Sequence, residues 1–92
     1  MHQASNTAIP SALEAERAVL SVIFQNPATH MTLALGEGLT PGHFHHPATR
    51  GLWEEFCRLR AANQEIELIS LTEGLLTAGT LDALGVAAEV TG

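Results

Sequence analysis

Apolar residues in this chain recur every three or four positions, and period-two alternation is nearly absent. That spacing puts the apolar set on one side of successive helices and cannot line one face of a sheet. The reading is an all-α fold, a compact, irregular (orthogonal) bundle of about five to six short helices. With 92 residues, 46% of them apolar, there is material for one small core and a single domain. Residues 10–92 are assigned to it. Residues 1–9 read as a polar, flexible leader, without the charged start and apolar stretch of a signal peptide.

The first helix is expected over 11–25. Ser11 and Glu14 have capping-box spacing, and Ile9 before them can staple the entry. Leu13, Leu20, Ile23 and Phe24 share one face, with Val19 on its flank. Asn26-Pro27 is a cap followed by proline where no N–H is needed, so a second helix should run over 27–35, stopped by Gly36 and Gly38. Thr40-Pro41 opens a single short turn that Phe44 plugs. The third helix, 47–62, is the best defined. Leu52, Phe56 and Leu59 form its stripe, with Trp53 and Cys57 beside it, while Arg50, Glu54 and Arg58 can pair at i, i+4, i+8 on the wet side. A polar break over 63–67 precedes a fourth helix, 68–78, with Leu71 and Leu75 inward and Gly79 as a left-handed stop. Residues 81–84 read as one turn closed by Gly85. A last helix then starts near Val86, too short to stand alone, so the natural chain is expected to continue. The expected core is Leu13, Leu20, Ile23, Phe24, Phe44, Leu52, Trp53, Phe56, Leu59, Leu71 and Leu75.

Charge narrows the function. Ten acids against four arginines (Arg17, Arg50, Arg58, Arg60) give a net charge of −6, and there is no lysine. A GxxxxGK[ST] phosphate loop, a lysine Schiff base and a lysine-rich nucleic-acid arm are all excluded. A net-negative surface repels phosphate backbones, which makes a poor stand-alone DNA or RNA binder. Cys57, alone, forms no internal disulfide and fits a reducing compartment, most simply the cytoplasm. No apolar run reaches the roughly 18 residues of a membrane span.

Several constellations invite chemistry, and each has a plainer explanation. His43, His45 and His46, with His30 nearby, offer nitrogens for zinc, nickel or copper; the plainer reading is a solvated turn. Glu54, Glu55, Glu65, Glu67, Glu14 and Glu16 are carboxylates for acid–base work, or solvated charges on helix faces and a connector. Cys57 lies in the C-terminal half of a helix, where the dipole disfavours thiolate, so an inert buried thiol is expected. Trp53 and Phe56 lack interleaved basic residues, which favours core packing over base stacking. Arg50, Arg58 and Arg60 leave open a small helix-turn-helix DNA-binding regulator, diluted by Glu54 and Glu55; salt-sensitive duplex binding would mark it. A metal-dependent enzyme built on the histidines would retain stoichiometric zinc. Neither displaces the main reading, a helical domain used for contacts with other proteins, in which no residue is assigned a catalytic, cofactor-binding or metal-binding role.

The order of short motifs carries more. Pro10, Glu14, Glu16, Val19 and Leu20 match P-x-x-x-E-x-E-x-x-[VL]-L, which opens the N-terminal domain of DnaB-type replicative DNA helicases. Leu39-Thr40-Pro41-Gly42-His43-Phe44-His45 resembles that family's L-x-P-x-D-F-Y turn, with His43 and His45 for aspartate and tyrosine. Pro47 to Trp53 resembles the H-R-x-[IL]-[FYW] start of its third helix, with Thr49 for histidine. Glu67 to Leu75 is similar to D-x-x-[TS]-[LV]-x-x-x-L, with glutamate for aspartate. Gly79 to Val86 is similar to G-x-L-x-x-x-G-G, with Val86 for the second glycine. The resemblance spans about residues 9–92.

It implies a non-catalytic collar and docking domain of a hexameric helicase that travels on single-stranded DNA at the replication fork. The implied partners are the other helicase subunits, primase and a helicase loader, in the cytoplasm and with no membrane. ATP and Mg2+ would belong to a C-terminal RecA-like motor. That motor, and the helical hairpin completing the collar, are expected beyond the globular part seen in this sequence.

Overall fold

The computed structural model describes residues 12–92. Ile9, Pro10 and Ser11, and with them the expected staple and capping box, lie outside the described residues, as does the 1–9 leader. Among the described residues there are five α-helices, one 3-10 turn and no strand, so the fold is all-helical.

Helix α1, Ala12–Gln25, buries Glu16, Leu20 and Ile23, spaced i, i+4, i+7 along one side. Leu13 and Phe24, expected in the core, are only half-buried; Phe24 still packs against it. Both sit at the margin of the 16–20–23 stripe, where one edge of the side chain faces water. Helix α2, Pro27–Gly36, begins on proline at its first turn, and the Asn26 side chain makes no cap bond. It packs on α1 and inserts Met31, fully buried. The 3-10 turn, Pro41–His43, follows, and Phe44 then drops into the core.

Helix α3, Pro47–Ala61, is the axle. It packs against α1, the 3-10 turn and the two helices that follow, and it buries Ala48, Thr49, Leu52, Trp53, Glu55, Phe56 and Leu59. Phe44 stacks on Trp53, with ring centroids 5.6 Å apart. Asn63, at φ 59°, turns the chain out of α3 in place of a glycine; asparagine tolerates this region better than most residues. Helix α4, Leu68–Ala78, presents Leu71 and Leu75 inward and ends on Gly79 at φ 74°.

Helix α5, Leu81–Thr91, corrects the sequence reading. Instead of a turn closed by Gly85 and a stub, one unbroken 11-residue helix runs through that glycine. Glycine inside a helix costs about 1 kcal/mol. Against that, Ala83, Val86, Ala87 and Val90 fall at i, i+3, i+4, i+7 and are all buried against α1, α3 and α4. Burying a valine is worth about 1.5–3 kcal/mol, so tertiary packing overrides the local preference. A Cβ placed on Gly85 meets nothing within 4 Å. Gly85→Ala is therefore expected to stabilise the domain by about 0.5–1 kcal/mol, read as a higher melting temperature. A lowered melting temperature would contradict the continuous helix.

Candidate functional site

Three of the segments that carry the family resemblance, Glu16 on α1, the turn ending at His45 and the start of α3, meet at the N-terminus of α3. Four backbone N–H groups at a helix start have no partner within the helix. Here Glu16, reaching over from α1, accepts from the backbone N–H of His45 at 2.9 Å and of His46 at 3.3 Å. It also takes the buried hydroxyl of Thr49. From the other side Arg50 donates to the carbonyls of Phe44 at 3.1 Å and His45 at 3.2 Å. The segment 44–46 is thus held by a carboxylate on its donors and a guanidinium on its acceptors. Burial on its own would raise the Glu16 carboxyl, but the bonds from Thr49, His45 and His46 outweigh it and leave the group below the ordinary carboxylate range. Its task is to fix α1 to α3. Sequence reasoning placed Glu16 on a solvated face; it is only 8% exposed. The missed signal was its place on the stripe of Leu20 and Ile23.

Glu55 is a second correction. It is buried, and its pair is Arg58 one turn on, at 2.5 Å, rather than a surface ladder of Arg50, Glu54 and Arg58. Hydrogen bonding and charge from Glu55 raise Arg58 above its ordinary value. The Glu55 carboxylate lies flat against α4 at Gly74, where a Cβ would overlap it. Glycine at 74 is what allows α3 and α4 this close. Glu67 caps α4, accepting from the Ser70 N–H at 2.6 Å. Glu54 and Glu65 are exposed.

The histidines serve as backbone partners. His43 Nδ1 accepts from the Thr40 N–H at 3.0 Å, and His46 Nδ1 accepts from the Ala48 N–H at 3.4 Å. His30 Nδ1–H donates to the Val22 carbonyl at 2.6 Å. Among the described residues no group of three or more His, Cys, Asp or Glu is placed to hold a metal ion. Cys57 is half-buried, and burial pushes its thiol up despite Arg60; Glu54 adds to the rise. Trp53 and Phe56 are fully buried, with the Trp53 Nε1–H lacking a partner among the described groups.

What remains for outside contacts is surface. Each arginine donates within the chain: Arg17 to Glu89 at 2.6 Å, Arg58 to Glu55, Arg50 to the two carbonyls, and Arg60 to the Thr32 hydroxyl at 3.3 Å. Helix α4 carries no basic residue. A recognition helix with free cations for a DNA groove is not formed among the described residues. Two apolar areas stay open. One is on α4 and the start of α5, with Leu68, Ile69, Leu76 and Leu81 exposed. The other is a groove of about 540 Å³ between α1, α2 and the 3-10 turn, walled by Val19, Val22, Leu33 and Leu39. No described helix is long and apolar enough to cross a membrane.

Comparison with known proteins gives one family. The DnaB-like helicase N terminal domain matches residues 8–92, covering every motif named above except the leader. A search of curated proteins and a search of solved structures each returned no significant match. With nearly its whole length matched, and with the helical architecture that family requires, the chain belongs to the DnaB-like helicase N-terminal domain family.

Proposed function

We propose that this domain is a non-catalytic collar and docking module of a hexameric replicative DNA helicase, supporting ring assembly and binding primase, a helicase loader, or both. Family membership over residues 8–92 is the observation that carries the reading. The arrangement of the chain agrees with it. Its buried carboxylates Glu16 and Glu55 are spent on holding helices together, and its open apolar surface lies outside the core. In this reading ATP and Mg2+ belong to a motor domain of the parent protein, which works in the cytoplasm.

Docking is tested by calorimetric titration of this chain with the primase and with the helicase loader of the same organism. Saturable binding to at least one is expected, with a Kd in the micromolar range typical of transient assemblies. Absence of heat with both, for a folded sample, overturns the docking role.

A further inference from the structure

Of the two open apolar areas, the groove between α1 and α2 is the one shaped to receive something. Val19, Val22 and Leu33 are 44%, 51% and 59% exposed along it, and Leu39 also lines it. Its walls are held before any partner arrives. His30 Nδ1–H, on α2, is bonded to the Val22 carbonyl of α1, and His43 is bonded to the Thr40 N–H. A concave, preformed apolar cleft between two helices suits a third helix that lays three or four side chains into it at i, i+3, i+4, i+7. On the α4 stripe, Leu68, Ile69 and Leu76 line none of the main cavities of the described residues.

Charge says which helix. Among the described residues, Glu37 is the one formally charged residue lining the groove. The chain around it carries −6 in total. No arginine lines the groove, and each of the four donates to an acceptor elsewhere in the chain. A second copy would bring the same excess of acid and its own Glu37. A helix whose apolar stripe is flanked by lysine or arginine meets the opposite field. We propose that the α1–α2 groove is a docking cleft for an amphipathic, basic-flanked helix of a different protein. The proposal rests on the docking reading and names its surface and the chemistry of what fits there.

The test uses two synthetic helical peptides of about 18 residues with the same leucine stripe, one flanked by lysine and the other by glutamate. Each is titrated into the 92-residue chain at low salt by fluorescence anisotropy. The lysine peptide is expected to bind about tenfold tighter than the glutamate peptide. Val22→Glu should remove its binding. Leu76→Glu, on the α4 stripe, should leave binding unchanged. Glu37→Lys should shrink the preference for the lysine peptide by about fivefold. Both substituted apolar positions are half or more exposed, so the variants are expected to fold, and circular dichroism checks this.

Three results would each overturn the proposal: loss of binding with Leu76→Glu but not Val22→Glu, a peptide preference insensitive to Glu37→Lys, or a dimer in sedimentation that Val22→Glu disperses, which would assign the groove to a second copy. Failure of both peptides to bind also overturns it. Binding of primase or loader by a chain that ignores both peptides would leave the docking role standing and remove only this surface.

Discussion

Glu16→Ala is expected to lower the stability of this domain by about 3 kcal/mol, the scale of leaving buried donors without their charged acceptor. Two donors lose their partner at once, the N–H groups of His45 and His46, and the fully buried Thr49 hydroxyl is left with only the His46 carbonyl, at 3.0 Å. For a domain of this size the melting temperature should drop by about 12–24 °C. A total stability of roughly 5–14 kcal/mol at this length makes that a large fraction. Glu16→Gln keeps one acceptor oxygen and loses the charge, so about half the effect is expected. The acid arm has a fixed sign. Because the native fold holds the Glu16 carboxyl below its ordinary value, its contribution is complete above the ordinary carboxylate range. It is lost as pH falls through the depressed value, where the fold must take up the proton. Stability of the wild type should therefore fall on acidification more steeply than that of Glu16→Gln. Equal melting temperatures for wild type and Glu16→Ala would mean that the bonds around 44–46 hold nothing.

The same residue shows where the sequence could be read and where it could not. Helix boundaries followed from period and punctuation: Asn26-Pro27, Thr40-Pro41 and Gly79 each sit at a chain turn. What the period could not supply was the meaning of a charge on an apolar stripe. Glu16 shares its face with Leu20 and Ile23, and Glu55 lies between Leu52 and Leu59. Both looked like solvent-facing carboxylates because what covers them is distant in sequence: donors 29 to 33 positions away for Glu16, and Gly74 of α4 for Glu55. Gly85 misled in the opposite direction. A local helix breaker outweighed the Ala83, Val86, Ala87, Val90 spacing in the reading, whereas in the fold the packing of that spacing on three helices decides. Exposure was equally illegible. Met31 and Leu33 are both apolar positions of α2, yet one is fully buried and the other 59% exposed, a difference set by where α1 lies. The candidate docking groove is made of such positions, and so it emerged only once the helices were placed.

Phe56→Ala should remove about 3–5 kcal/mol, the usual range for emptying a fully buried aromatic site. The reason for placing the largest packing effect here is position. Phe56 is wholly inaccessible near the middle of α3, the helix that touches α1, the 3-10 turn, α4 and α5. Neighbouring Trp53 is also fully buried, with Phe44 already stacked on it, so neither ring is free to swing into the vacated space. A hole that its surroundings cannot close carries the full cavity term in addition to the lost transfer energy. Ile69→Ala is the matched control. Ile69 is 64% exposed on α4, and its truncation should change stability by no more than about 0.5 kcal/mol. Denaturant melts of the two variants should thus separate by roughly 3 kcal/mol at unchanged slope. If Phe56→Ala melts with the wild type, α3 does not lie at the centre of the bundle. The groove between α1 and α2 would then lose its footing too, since α1 is held in place by α3 through Glu16.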